Sequence, residues 1–292
     1  YCRKTDPFAP CPAGFNFHLI SWSTRISLFN SQRKQKMILK VNDLAFCYKS
    51  HEALKNINFS IHPGEITVIL GPNGVGKTTL LKCLNSILTP QKGTVMVSDQ
   101  NIKEMTVKQI ARQISYVGQR IDSSRITAFD AILMGRHPHI RFKTSDSDLK
   151  KVDAIIKKLN LSHLCLKYLD QMSGGELQKV AIARALVQQT GILLLDEPTS
   201  SLDLKNQIQI LELIKNIVIE HQISAVMTMH DLNAALRYAD KCLLLKDKII
   251  YGAGLVKDIS SKTVQDVYGV NVDIVYYKGF PIVVPIGNEK AA

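Results

Sequence analysis

"ITVILGPNGVGKTTLLKCLNSIL", from Ile66 to Leu88, decides the fold. An apolar strand leads into a loop with glycines at 71, 74 and 76, and a helical pattern follows. "GPNGVGKT" fits G-x-x-x-x-G-K-[ST], with Gly71, Gly76, Lys77 and Thr78 at the defining positions. In such a loop the backbone N–H groups cradle phosphates. Lys77 reaches the β- and γ-phosphates, the Thr78 hydroxyl ligates Mg²⁺, and Thr79 adds a phosphate contact. A chance glycine-rich turn would lack the strand before it and the helix after it.

Further along the chain, other strand ends carry polar groups suited to the same chemistry. "GILLLDEP", Gly191 to Pro198, is an apolar strand closed by two acids. Asp196 is placed to hold the metal, and Glu197 to polarise an attacking water. Alone, such a pair would be an ordinary solvated strand end. "VMTMHDL" puts His230 at the end of another buried strand, which should lie beside the Asp196 strand. Both ends would then face a γ-phosphate at the carboxyl edge of the sheet. Gln119 in "YVGQR" ends a strand as well, where an amide could sense Mg²⁺ or water. In "MSGGELQKV", Ser173 and Glu176 have the spacing of a capping box. The box leaves Gly174 and Gly175 unexplained, since two glycines at a helix start are costly.

Strands alternate with helices from residue 37 onward, which predicts a mainly parallel sheet with helices on both faces. "MILKVNDLAFCY" and "ALKNINFSIHPGE" predict an antiparallel pair turning at Lys49–Glu52, as a smaller added sheet. Residues of about 120–190 predict a mostly helical insertion. "CLLLKDKIIYGA" reads as a hairpin, and "VYGVNVDIVYYKGFPIVVPI" as two short strands.

Composition narrows the function classes. The chain has 292 residues, of which 46% are apolar and 21% charged, enough to bury a large core. No apolar run reaches the length of a membrane span. The net charge of +12 comes without a long basic run, so it fits contact with phosphates or an anionic membrane face. A well-solvated basic surface explains it equally. Six cysteines without C-x-x-C spacing point to free thiols in a reducing compartment. Residues 1–36 lack periodicity and a signal-peptide pattern, hold the single Trp22, and read as a non-native or disordered extension before Met37.

Together these motifs resemble the ATP-binding cassette (ABC) ATPases, over about residue 37 to the end. The resemblance implies an α/β fold of the P-loop NTPase type. It would have a mainly parallel core sheet, an antiparallel β-subdomain and a helical subdomain at about 120–190. The ATPase domain is expected at 37–275, with a C-terminal strand and tail at 276–292. "GPNGVGKTT" (Gly71, Pro72, Asn73, Gly74, Val75, Gly76, Lys77, Thr78, Thr79) looks like the phosphate loop. "MSGGE" looks like the family signature, in which Ser173, Gly174 and Gly175 face ATP held by another subunit. Asp196 and Glu197 look like the metal-binding and catalytic acids. Gln119 is similar to the Q-loop glutamine, a metal-sensing group, and His230 to the switch histidine. "SSLD", ending at Asp203, looks like the loop that crosses between subunits. Tyr48 sits where the family stacks an aromatic on adenine; an ordinary strand tyrosine is the alternative. Met172, Glu176, Gly118 and Ser201 depart from the commoner residues, and none removes a phosphate, metal or catalytic group.

"ITAFDAILMGRHPHI", from Ile126 to Ile140, resembles the corresponding segment of importer ATPases for iron–siderophores, haem and cobalamin. The implied function is ATP hydrolysis, with Mg²⁺, by the energy-coupling subunit of an importer. Its implied partners are a second copy of itself in an ATP sandwich, a polytopic permease docked near Gly135–Ile140, and indirectly a substrate-binding protein. Its implied place is the cytoplasmic face of the membrane, without nucleic acid. In the bland reading Arg136 and His137 are simply solvated. The competing functions are a soluble ABC ATPase of iron–sulfur assembly or of nucleic-acid metabolism.

Overall fold

A computed structural model describes residues 38–121 and 124–286. The expectations for 1–36, including Trp22, and for Met37 lie outside those residues. The chain is built around strand β3 (Ile66–Leu70), in which every residue is buried. It lies inside a six-stranded sheet of order β10-β9-β3-β8-β7-β6. The other members are β6 (Ile114–Val117), β7 (Ile192–Asp196), β8 (Ser224–Thr228), β9 (Lys241–Lys246) and β10 (Ile249–Leu255). β6, β7, β8, β3 and β9 run parallel, and β10 turns back antiparallel on β9.

Why β3, β7 and β8 read as mostly apolar runs follows from the two cores. Ile66, Val68, Leu70, Leu193, Leu195, Ala225 and Met227 face one core. Ile69, Ile192, Leu194 and Val226, at alternate positions, face the other. A strand covered on both faces has no solvent side to make polar.

The first core holds the helical segment. There α3 (Ala128–Met134), α4 (Asp146–Lys158) and α5 (Gly174–Val187) lie in sequence between β6 and β7. It also holds α6 (Leu204–His221), α7 (Leu232–Tyr238) and α8 (Ser261–Tyr268). The second core packs α1 (Lys77–Leu84) and α2 (Val107–Gln113) with an antiparallel sheet of order β2-β1-β4-β5. That sheet comprises β1 (Leu39–Tyr48), β2 (His51–Ile61), β4 (Lys92–Val97) and β5 (Gln100–Asn101). Its first turn is tighter than the sequence suggests, because Lys49 takes φ 50° and β2 already begins at His51.

β11 (Val272–Tyr277) crosses the 275/276 boundary expected from the sequence. It pairs along its whole length with β12 (Phe280–Pro285), so the two strands form one hairpin. Cys47, Cys83, Cys165 and Cys242 are free thiols.

Parallel register decides where the site forms. Ile69 is level with Thr228, and Thr228 with Asp196. Val117 is level with Leu195. The four strands therefore end at one carboxyl edge, and the segments carrying Gly71, Gln119, Glu197 and His230 all leave from it.

Candidate functional site

The loop after β3 is shaped by glycines that have no substitute. Gly71 takes φ 144°, and a Cβ there would lie 2.3 Å from the Leu245 carbonyl oxygen. Gly76 caps α1 in the left-handed region at φ 106°, and its Cβ would meet the Ala53 carbonyl at 2.8 Å. No side chain caps α1 and no acid lies in its first turn. The N–H groups at that helix start are thus left for an anion.

Lys77 is buried, and its Nζ donates to the carbonyls of Gly71 at 2.8 Å and Pro72 at 3.0 Å. Burial lowers its pKa, against the opposing pull of Glu197 and Asp196. A cation held by two neutral carbonyls beside an open helix end is suited to a phosphate.

Asp196 is 2% exposed. Three hydroxyls hold its carboxylate. Thr78 donates to Oδ1 at 3.0 Å, Thr228 to Oδ1 at 2.8 Å, and Tyr116 to Oδ2 at 3.3 Å. Burial and the neighbouring Asp196 charge push the Tyr116 phenol pKa up, so that ring stays a donor. The sequence reading paired Thr78 with Asp196 but missed Tyr116 and Thr228. The available signal was the threonine in "VMTMHD", a polar residue at the end of a buried, mostly apolar strand.

Glu197 turns its backbone to φ 50° immediately after Asp196. A non-glycine residue there is strained, and the bond from Glu197 N to Thr228 Oγ1 at 2.8 Å holds it. Its carboxylate accepts from Gln119 Nε2 at 2.5 Å and lies 2.5 Å from His230 Nε2. The three groups arrive from three strands. A carboxylate so held can take a proton from water once a substrate displaces a partner.

Tyr48, at the end of β1, is 45% exposed and stands edge-on to Phe46. Its hydroxyl lies 3.3 Å from Thr79 Oγ1. An exposed aromatic beside the loop can stack on a planar base. Pro72, Asn73 and Gly74 are exposed along the loop, with Val75 partly covered.

Ser173 caps α5 in a complete capping box with Glu176. Lys167 reaches Glu176 at 2.9 Å, and its hydrogen bond, with those from Ser173, holds the Glu176 pKa down. Gly175 has a packing reason to be glycine, because a Cβ would press to 3.0 Å on the Asn206 side chain. Gly174 has none, with its nearest neighbour, Leu202, at an ordinary 3.6 Å. Asp203 caps α6 through Asn206 N at 2.8 Å. Among the described residues, the hydrogen bonds of Ser173 and Asp203 thus stay within their own helix starts, and none runs to the Lys77 loop.

"GRHPHI" departs from the bland reading. Arg136 is 2% exposed, so it is not a solvated residue. Its guanidinium donates to Asp148 Oδ1 at 2.9 Å, to the Val187 carbonyl at 2.8 Å and to Gln189 Oε1 at 3.1 Å. Gly135 lets α3 meet α5, since a Cβ would lie 2.1 Å from the Arg184 carbonyl oxygen. His139 Nε2 lies 2.8 Å from the Gln188 carbonyl, and Arg112 and Lys108 donate to the Pro138 and Ile140 carbonyls. His137 and Met134 are left facing outward.

Residues 54–200 match the profile of the ABC transporter family. The chain belongs to that family. It is similar to an uncharacterised ABC transporter ATP-binding protein of Methanocaldococcus jannaschii, with 48% identity over 86% of this chain and 99% of the relative. The ferric enterobactin transport ATP-binding protein of Escherichia coli is 34% identical, over 85% of this chain and 94% of its own length. Among solved structures, a metal-chelate type ABC transporter in an inward-facing conformation has a TM-score of 0.76 and 30% identity, over 87% of this chain and 99% of that one. This ABC protein binds and hydrolyses ATP. Among the described residues no helix is long and apolar enough to cross a membrane.

Proposed function

We propose that this chain is the energy-coupling ATPase of a metal-chelate importer, acting as a homodimer on the inner face of a membrane-embedded permease. The observation that carries the chemical half is the single carboxyl edge where Lys77, Thr78, Asp196, Glu197, Gln119 and His230 converge. What supports the cargo class is the likeness to the enterobactin protein and the metal-chelate transporter.

In this reading the loop from Gly71 to Thr79 holds the ATP phosphates, and Tyr48 stacks on the adenine. Lys77 Nζ leaves the Gly71 and Pro72 carbonyls for the β- and γ-phosphates. Glu197 orients the attacking water and takes its proton, while His230 and Gln119 keep that carboxylate aimed. Two hard oxygens, Thr78 Oγ1 and Asp196 Oδ1, already converge to 3.0 Å, which suits Mg²⁺. The described residues hold no cluster of three or more His, Cys, Asp or Glu side chains fit for a metal. That also suits an ion that prefers one carboxylate, phosphate oxygens and water. When bound, the ion would neutralise charge on the phosphate oxygens.

Ser173, Gly174 and Gly175 complete the site of a second copy, which gives Gly174 the reason that packing within one chain does not supply. Asp203 lies on the same crossing surface. Met134 and His137 form the outward face on which the permease docks, and Arg136 stiffens it from beneath. A substrate-binding protein joins the assembly through the permease.

Glu197→Gln tests this reading. With ATP the variant should hydrolyse at most about a hundredth as fast and double in mass by light scattering. A monomer under saturating ATP overturns the dimer. Lys77→Ala should abolish ATP binding by fluorescence titration; unchanged affinity overturns the phosphate loop. Affinity capture from solubilised membranes should recover a polytopic protein, and a soluble scaffold alone would favour the assembly role.

A further inference from the structure

We propose that Tyr268 is a positioning residue for the phosphate loop, anchoring its first residue from a helix close to the far end of the described chain. The inference rests on reading 71–79 as the phosphate loop. It begins from one contact: the Gly71 N–H donates to the Tyr268 hydroxyl at 2.9 Å.

Gly71 is buried, so its N–H needs a protein partner. Its place leaves it no freedom to find another. On the Cβ side, the Leu245 carbonyl closes the space to 2.3 Å. At its carbonyl, Gly71 accepts from Lys77 Nζ at 2.8 Å. One residue, through its two flanking peptides, therefore joins Tyr268 on one side and the phosphate-seeking ammonium on the other. The φ of 144° at Gly71 is one that only glycine adopts readily, so the residue has no side chain of its own to hold it there. Tyr268 supplies the tie.

The tyrosine is itself well seated. It ends α8, whose Val264 and Val267 are buried in the first core. Ser260 caps the helix through Thr263 N at 3.2 Å. Gly269 closes it at φ 69°, its N–H bonded to the Gln265 carbonyl at 2.7 Å. The hairpin beyond bonds back to α8 through Ile274 N and Ser261 Oγ at 3.1 Å. Burial pushes the phenol pKa up to about 12, so the hydroxyl stays neutral and the tie holds across the physiological range.

A tyrosine that merely fills the core makes a different prediction from one that sets the loop. Tyr268→Phe keeps the ring and removes the acceptor. The expected result is a KM for ATP raised on the order of 3- to 10-fold with kcat within about 2-fold, as for an interaction felt equally in ground and transition states. Val272→Ala loosens the same helix–hairpin junction without touching Gly71, and should lower the melting temperature with KM unchanged. Equal rises of KM in both variants, or a lowered melting temperature with normal KM in Tyr268→Phe, overturn the proposal. Amide exchange on the nucleotide-free wild-type chain gives a second readout that needs no variant. Gly71 should be protected while Asn73 and Gly74 exchange quickly, and fast exchange at Gly71 overturns the tie. If Lys77→Ala binds ATP normally, the loop reading itself fails. If Lys77→Ala loses ATP while Tyr268→Phe is normal, only this inference does.

Discussion

His230 Nε2 lies 2.5 Å from Glu197 Oε1, joining the segments that follow the adjacent parallel strands β8 and β7. Gln119 occupies the other oxygen of the same carboxylate. Removing the imidazole frees one side of the carboxylate and leaves the loop untouched. His230→Ala should lower the hydrolysis rate about 10²-fold, with ATP affinity changed less than about 3-fold. Steady-state turnover beside equilibrium nucleotide titration checks both halves, and a matched loss of affinity would count against a role confined to the carboxylate.

Thr228 serves two acids with one hydroxyl. It donates to Asp196 Oδ1 and accepts from Glu197 N, and it is fully buried. Thr228→Val nearly keeps the volume, orphans Glu197 N and leaves Asp196 Oδ1 to Thr78 alone. The expected loss is about 2–3 kcal/mol of stability in a denaturant melt, with turnover reduced as Glu197 leaves its strained backbone position. Thr228→Ser should restore most of both. A valine variant as stable and active as the wild type would show that the hydroxyl is dispensable.

Arg136 and Asp148 make the acid limb of stability predictable. Burial alone would raise the Asp148 pKa, but hydrogen bonds from Ser145 and Arg136 override it and hold the group at about 2. A depressed carboxylate stabilises the fold above its ordinary pKa, and the increment fades as pH falls from near 4 to about 2. Thermal melts of wild type and Asp148→Asn should therefore converge through that window. At neutral pH the variant should lose more, about 3 kcal/mol, because Arg136 is left buried without its counterion. Parallel pH profiles would contradict the assignment.

Gly135 is the contact point of α3 and α5. Its backbone is ordinary helical, at φ −61°, so only space demands glycine. Gly135→Ala should cost about 2 kcal/mol or more by forcing the helices apart. ATP titration should change little, because the helix that follows the 71–79 loop packs in the other core. Unaltered stability in a urea melt would mean that the helices separate freely.

The parts of the site legible in the sequence were those whose chemistry is local. Gly71 to Thr79 announce themselves because loop, lysine and helix start are contiguous. Asp196 and His230 stand out because a charged or titratable residue after an apolar strand contrasts with its neighbours. Tyr116 and Tyr268 carried no such contrast, and Thr228 only the weak one of a hydroxyl ending a buried strand. Their roles exist only once strand register sets Thr228 level with Asp196, or once α8 packs its last turn on a loop 197 residues earlier. Arg136 misled for a related reason. A cation beside histidines reads as surface, and only Asp148, twelve residues on, and the α5 carbonyl end show it to be core. Gln119 and Glu197 were each read alone, while their mutual hydrogen bond depends on β6 lying beside β7.

The place of β3 between β8 and β9 bears on how the protein comes to exist on the ribosome. Both flanking strands are encoded after most of the chain, and Ile66 N waits for the carboxylate of Asp240, 174 residues later. At roughly 5–20 residues per second that interval lasts about 10–35 s. For that time an emerging chain carries the entire phosphate motif without its walls, so nucleotide cannot template the early steps. Nascent chains arrested before β9 should fail to retain ATP, and chains extended past Tyr268 should hold it. Exposed for so long, the apolar β3 is also open to wrong pairing, which ties the yield of this ATPase to the speed of its translation.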